Sequence, residues 1–271
     1  MTDSLSDLKI SSANYETSEL SIPDFVDSQQ RQEYQSIKFY TPNKAAKWRV
    51  DTFYTKEPDT INWINSFETR DILIDIGANV GMYSVYAAAA RGVVVIAVEP
   101  ESQNYALLNG NIFLNHLDDK IIAFPYAISD HNSLEILNLT RWGAAGSCHA
   151  AGDPIGFDGS KFSPVFKQGV ISVSLSQLIN NFSLNSDCHL KIDVDGIEDR
   201  IINGSKELFK ERFFKTLLVE INQNLEQHRL LVEALVSFGY FFNDAQVNNS
   251  VRKSGPFKNC GNYIFHRKDL S

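Results

Sequence analysis

From residue 71 onward, apolar runs and amphipathic stretches alternate at regular spacing. "DILIDIG" (71–77) is nearly continuous in Ile and Leu, the pattern of a parallel strand buried on both faces. "VGMYSVYAAAA" (80–90) follows as a helix, with Gly92 just beyond it as a stop signal. "VVVIAVEP" (93–100) reads as a second buried strand, "ESQNYALLNGNIFLNH" (101–116) as a helix and "IIAFPYAIS" (121–129) as a third strand. Strand and helix in strict alternation predict a parallel sheet with helical crossovers, an α/β fold.

The alternation breaks after residue 130. "SLEILNL" (133–139) alternates apolar and polar positions and predicts an antiparallel strand. The stretch 141–169 carries six of the fifteen glycines and is too long for a plain connector, which predicts a functional or disordered loop. "VISVSL" (170–175) would return as a strand to pair with 134–139, and "SQLINNF" (176–182) as a short helix. The α/β pattern then resumes. "HLKIDVDG" is strand four, "IEDRIING" a helix and "FKTLLVEIN" strand five. "LEQHRLLVEALVSFG" is an amphipathic helix stopped by Gly239, and "YFFND" and "NYIFHRK" are a terminal strand pair joined by a polar loop. The main sheet should hold about seven strands.

Upstream, 37–67 contains seven aromatic residues, Trp48 and Trp63 among them, and that much aromatic surface requires burial against the main domain. "EPDTINWINSF" reads as a helix starting near Pro58, with Ile61, Ile64 and Phe67 facing the core. The first 20 or so residues are polar and expected to be loosely ordered. The chain therefore divides into a polar tail with an aromatic-rich helical extension, 1–68, and an α/β domain, 69–271, with a loop insertion at 130–172.

Composition narrows the partners. A net charge of −8 argues against a broad basic face for nucleic acid. Three cysteines without C-x-x-C spacing argue against a disulfide framework and for a reducing compartment. The N-terminus has no signal-peptide pattern, and no apolar run approaches the roughly 18 residues of a membrane span, so a cytoplasmic protein is expected. Oligomeric state is not legible.

In such a sheet ligands bind outside the carboxyl ends of the strands, which is where "DIGANVG" turns from strand one into its helix. Gly77 permits the sharp turn and Gly81 the close start of the helix, whose amides favour a negative group. Glu99 ends strand two, 24 residues after Asp75, where an acid can hold both hydroxyls of a ribose. Asn79 stands where a dinucleotide fingerprint has its middle glycine, and Asp75 is a poor neighbour for a pyrophosphate but a good one for a sulfonium. Those departures favour S-adenosylmethionine over NAD.

"DIGANVG", "VEP" and "LKIDVDGIE", with "KEP" (56–58), "NYALLNGNIFLN" and "AISD", together resemble the FkbM-type methyltransferases of the class I S-adenosylmethionine-dependent superfamily, over roughly residues 50–267. The resemblance implies a Rossmann-like, seven-stranded sheet of order 3-2-1-4-5-7-6 with the seventh strand antiparallel. It implies that Asp75, Gly77, Ala78, Asn79 and Gly81 surround the methionine end of the cofactor and that Glu99 holds the ribose. Pro100 and Glu101 would border the adenine, and Ser129 or Asp130 would meet its amino edge. One departure concerns the T-L-D stretch that relatives often carry before strand four: this chain has "VSLSQL", and Ser176 cannot replace an acid.

"KIDVDGIE" places Lys191, Asp193, Asp195 and Glu198 around the end of strand four, and Glu220 ends strand five next door. An alcohol holds its proton about as tightly as water, with a pKa of roughly 16. Its methylation therefore needs a general base or a metal. Asp193 is the first candidate base, with Glu220 and Glu198 as helpers and Lys191 as a partner of Asp193. Asp193, Asp195 and Glu220 are also candidate ligands for Mg²⁺ or Ca²⁺. His149, in the glycine-rich loop, is an alternative base. The expected activity is O-methylation of a sugar, glycan or natural-product hydroxyl. N-methylation of an amine, an NAD-binding oxidoreductase and a non-catalytic nucleoside-binding module are the competing readings.

Overall fold

A computed structural model describes residues 16–23 and 36–268. Two strands, β1 (Thr17–Ser21) and β2 (Ser36–Tyr40), precede three short helices, α1 (Lys44–Asp51), α2 (Phe53–Lys56) and α3 (Pro58–Asn65). The main domain then runs β3 (Ile72–Ile76), α4 (Met82–Arg91), β4 (Val94–Val98), α5 (Ser102–Leu114), β5 (Ile121–Phe124) and β6 (Tyr126–Ser129). Next come β7 (Ser133–Leu139), β8 (Ala150–Ala151), β9 (Phe166–Ser174), α6 (Leu175–Ile179), β10 (Cys188–Ile192), α7 (Glu198–Gly204) and α8 (Lys206–Lys210). The chain closes with β11 (Phe214–Asn222), α9 (Glu226–Ser237), β12 (Tyr240–Phe242), α10 (Asp244–Ser250) and β13 (Cys260–Arg267).

Seven strands form the central sheet, in the order β12-β13-β11-β10-β3-β4-β5. Numbered as they enter that sheet they read 6-7-5-4-1-2-3, which is the expected order, and β13 runs antiparallel to both β11 and β12. The other neighbours are parallel. Helices cover both faces. Leu73, Val95 and Ala97 pack under α4 and α5, while Ile74, Ile96, Leu190 and Ile192 pack under α6 to α9. Every residue of β3 and β10 is buried, as their unbroken apolar runs predict.

The aromatic extension is part of this core. Phe39, Phe53, Trp63 and Phe67 are all buried, as are Ile61 and Ile64 on α3. Each such side chain contributes about 1.5–3 kcal/mol of burial. Phe53 and Tyr86 pack ring on ring at 5.1 Å, and Trp63 Nε1 donates to Thr216 Oγ1 at 2.7 Å. The alanine run of α4 keeps that helix thin enough to be buried between the sheet and the extension.

Four expectations change. "IIAFPYAIS" is two strands: Pro125 has no N–H to donate to a ladder, so β5 stays in the central sheet and β6 leaves it. β6 joins a second sheet of order β6-β9-β7-β8, in which β7 and β9 pair antiparallel from Ser133↔Ser172 to Leu139↔Phe166. The return strand thus starts at Phe166, inside the stretch read as loop. At the N-terminus, Thr17–Ser21 pairs with Ser36–Tyr40 although it lies in the tail expected to be loose; residues 1–15 are outside the described residues. The extension is therefore a strand pair as well as helices. Finally, α10 occupies the segment read as a polar loop between the last two strands, capped by the Asn243 side chain on the amides of Ala245 and Gln246.

Candidate active site

The carboxyl ends of β3, β4, β10 and β11 open into one cavity of about 540 Å³. That volume lies within the roughly 300–1,000 Å³ of small-molecule sites. The second sheet closes it from one side through Ala127, Ile128, Leu137 and Ala151, and the extension from another through Trp48, Arg49 and Glu57. The insertion at 130–172 therefore supplies a wall of the site.

The turn after β3 is set by backbone geometry. Gly77, Asn79 and Gly81 all have positive φ, at 79°, 53° and 81°. A Cβ on Gly77 would lie 2.0 Å from the Asp193 carbonyl oxygen, so the turns after β3 and β10 touch only because residue 77 has no side chain. At Gly81 the same atom would meet Leu108 Cδ1 at 2.4 Å. That glycine serves the packing of α4 on α5. Gly77 and Asn79 line the cavity; Ala78 is buried beside them and, like Gly81, is not on the wall.

Glu99 reaches the cavity from the end of β4. Its two oxygens accept the backbone N–H groups of Asn79, at 2.8 Å, and Glu101, at 2.9 Å. Burial raises its pKa to about 7, against the opposing effect of those two amides. Pro100 and Glu101 also line the cavity, and Glu101 caps α5 by accepting from the amides of Gln103 and Asn104. Ser129 and Asp130 do not line the cavity. The turn at Pro125 carries them away with β6, where Arg200 donates to Ser129 Oγ and Asp130 Oδ1. Tyr126, Ala127 and Ile128 stand on the wall instead.

Asp75 is fully buried and does not reach the cavity. Parallel register sets it beside Lys191 of β10. Ser84 Oγ donates to Asp75 Oδ2 at 2.6 Å, and Lys191 Nζ sits 3.4 Å from Asp75 Oδ1, an ion-pair contact that leaves this oxygen without a directed hydrogen bond. Lys191 Nζ also donates to Asp193 Oδ2 at 3.2 Å. Burial opposes the charge on Lys191, yet Asp193, Asp75 and Glu57 together raise its pKa. Lys191 is thus a buried cation between two carboxylates, and Asp193, at 29% side-chain exposure, is the one that faces the cavity.

The remaining acids separate by role. β10 ends at Ile192, and Asp195 lies in the following turn at φ 64°, so Asp193 and Asp195 do not share a strand face. Both still line the cavity, and burial, then Asp193, raises the pKa of Asp195 to about 6. Asp195 Oδ2 accepts the amide of Cys148 at 2.7 Å. Glu220 lines the cavity and is held by Arg252 Nη1 at 2.9 Å; burial, Asp193 and Asp195 nevertheless push its pKa up. Glu198 is buried off the wall, accepting from the amides of Val194 and Gly196 and lying 3.2 Å from His228 Nε2. It braces the turn after β10. Among the described residues no group of three or more His, Cys, Asp or Glu side chains is placed to hold a metal, so Asp193, Asp195 and Glu220 do not form the expected ligand set.

Several wall residues escaped the sequence reading. Glu57, from the "KEP" stretch, accepts from Tyr83 Oη at 2.8 Å and pairs with Lys56 at 2.7 Å. Burial would raise its pKa, but Lys56, Tyr83 and Lys191 together outweigh this and hold it at about 2. Arg49, Arg141 and Arg252 reach the cavity from three distant parts of the chain with no motif to flag them. His149 lines the cavity with its pKa lowered by burial, and its Nδ1 accepts the Thr140 amide at 3.3 Å. Ser176 lies on α6, where its amide donates to Ser205 Oγ, and is not on the wall.

Residues 75–242 match the family described as Methyltransferase FkbM domain. The chain belongs to this family. Its domain is that of an S-adenosylmethionine-dependent methyltransferase. Among solved structures, methyltransferase FkbM from Methylobacillus flagellatus KT is similar at 13% identity and a TM-score of 0.50, covering 80% of this chain and 52% of that one. This chain thus spans about half the length of that FkbM protein. A precorrin-6y C5,15-methyltransferase from Geobacter metallireducens GS-15 is similar at 12% identity and a TM-score of 0.44, covering 78% and 87% of the two chains. M. capricolum TrmK, solved with S-adenosyl-homocysteine, is similar at 11% identity and 0.44, covering 78% and 68%. No curated protein matches the chain by sequence. The α/β class I fold and the FkbM likeness read from the sequence are both borne out.

Proposed function

We propose that the protein methylates a hydroxyl of a small sugar, glycan or natural-product acceptor, using S-adenosylmethionine and Asp193 as the base. The observation that carries this reading is the single cavity that joins Asn79 and Glu99 at one end to Asp193, Asp195 and Glu220 at the other.

The residues fit the cofactor. Glu99 ends β4 with lone pairs left for ribose hydroxyls, Val98 and Ile128 offer apolar surface, and three carboxylates suit a positive charge. When bound, the cofactor supplies an electrophilic methyl group. Asn79 and Glu99 shape the nucleoside end through the amide contact between them. Lys191 orients the Asp193 carboxylate, which takes the proton from the acceptor hydroxyl. Arg252 fixes Glu220 opposite, where it holds the acceptor. Leu137 and Ala151, on the second sheet, help exclude water.

A net charge of −8 supports a small acceptor over a nucleic acid. The three cysteines are free, which suits the reducing cytoplasm proposed for it. Among the described residues no helix is long and apolar enough to cross a membrane. Calorimetry with S-adenosylmethionine and NAD tests the cofactor: heat with NAD and none with S-adenosylmethionine overturns the reading. Mass spectrometry of sugar, nucleotide-sugar and amine panels then tests the acceptor. A mass gain confined to amines overturns O-methylation.

A further inference from the structure

The cavity wall is polarised. Six carboxylates face it, and two of its cations already pair with them: Lys56 with Glu57 at 2.7 Å, and Arg252 with Glu220 at 2.9 Å and Glu57 at 3.5 Å. Arg49 and Arg141 also line the cavity, and among the described residues neither has a carboxylate partner. Both converge on one backbone oxygen, that of Ala145. Arg49 Nη2 donates to it at 3.1 Å and Arg141 Nη2 at 3.3 Å. Ala145 is itself held in place, at φ 63°, by its amide's bond to Asn104 Oδ1 at 2.7 Å.

Two guanidiniums carry ten N–H bonds between them, and one carbonyl oxygen offers two lone pairs. Bringing two like charges together on a neutral acceptor costs energy unless an anion joins them. Guanidinium pairs of this kind match carboxylate and phosphate oxygens in a planar fork. We infer that Arg49 and Arg141 form an oxyanion subsite of the transfer cavity, for a carboxylate or phosphate group. It rests on the reading of the cavity as the site of methyl transfer. The oxyanion comes either from the cofactor's own carboxylate or from an acidic or phosphorylated acceptor.

The test uses the full chain, with Arg49→Gln and Arg141→Gln beside the charge-preserving Arg49→Lys, each checked for an unchanged thermal midpoint without ligand. Affinity is measured by calorimetry for S-adenosylhomocysteine and for its decarboxylated analogue. Inorganic phosphate binding is followed by phosphorus NMR line broadening, with and without S-adenosylhomocysteine. If the cofactor supplies the anion, the Gln variants bind S-adenosylhomocysteine about 10- to 100-fold more weakly, Arg49→Lys recovers part of the loss, and the analogue binds all variants alike. If the acceptor supplies it, S-adenosylhomocysteine affinity is unchanged, while phosphate broadens with the loaded wild type and not with the Gln variants. If the Gln variants change neither, the subsite is refuted. If the wild type binds no S-adenosylhomocysteine, the methyltransfer reading fails, and phosphate binding still decides the subsite on its own.

Discussion

The two walls of the cavity are held by different physics. The sheet-side wall, made by the turns after β3 and β10, rests on a backbone contact at Gly77 and on the buried series Asp75, Lys191, Asp193. A second wall segment, around residues 144–149, is held by side chains reaching its carbonyls. Asn43 donates to Ala144, Arg49 and Arg141 to Ala145, and Asn79 and Asn104 to Gly146. Removing one member of the first arrangement should disturb the others with it. The second loosens one hydrogen bond at a time. A site that fixes the proposed base Asp193 and also admits ligands would use rigidity at one wall and adjustable contacts at the other.

The largest effect should come from Lys191→Met. It leaves Asp75 buried without its cation, and breaking a buried pair in this way costs about 3–5 kcal/mol. Chemical denaturation should show that loss, and a change below about 1 kcal/mol would mean the sheet-side wall does not depend on the ion series. Next, Asp193→Asn should keep cofactor affinity and lower turnover by on the order of 10²-fold or more, read in a steady-state transfer assay. Undiminished turnover would remove Asp193 as the base. Gly77→Ala should destabilise the fold by about 1–3 kcal/mol, because φ 79° and the Asp193 carbonyl both oppose a Cβ. A thermal midpoint equal to wild type would sink the claim of backbone contact.

A pH series sharpens the comparison further. Folded-state pKa values are raised for Glu99, to about 7, and Asp195, to about 6. A raised acid makes the folded chain bind more protons than the unfolded one between about 4.5 and 7, so these groups favour folding below that window and lose their contribution as pH rises through it. His149, whose pKa burial lowers, acts in the opposite sense, so the test is a difference: the thermal midpoint of the wild type should fall relative to that of Glu99→Gln from about pH 5 to pH 7.5. A difference that rises with pH would contradict this. The smallest effect belongs to the adjustable wall. Asn79→Ala removes the 2.6 Å bond to Gly146, and should lower stability by about 0.5–1.5 kcal/mol and weaken cofactor affinity by roughly 2- to 10-fold.

The strand order was implied by the family resemblance; the strands themselves, the turn at Gly77–Gly81 and the acids Glu99, Asp193 and Glu220 were legible in the sequence. Each is a local signal, carried by strand periodicity or by a residue at a strand's end, and the strand's end is where an α/β fold places its ligand. The break at Pro125 is missed by periodicity, because the apolar run continues across it and only the absent N–H of one residue marks it. Tertiary structure alone decided which acids face the cavity. Asp75 stands in the same motif as Asn79 and Glu198 in the same motif as Asp193, yet strand register turns Asp75 onto Lys191, and the turn after β10 folds around Glu198. It alone brought Arg49, Arg141 and Arg252 to one cavity. Their positions depend on contacts between segments roughly 90 to 200 residues apart, and no local pattern of side chains encodes a contact at that separation.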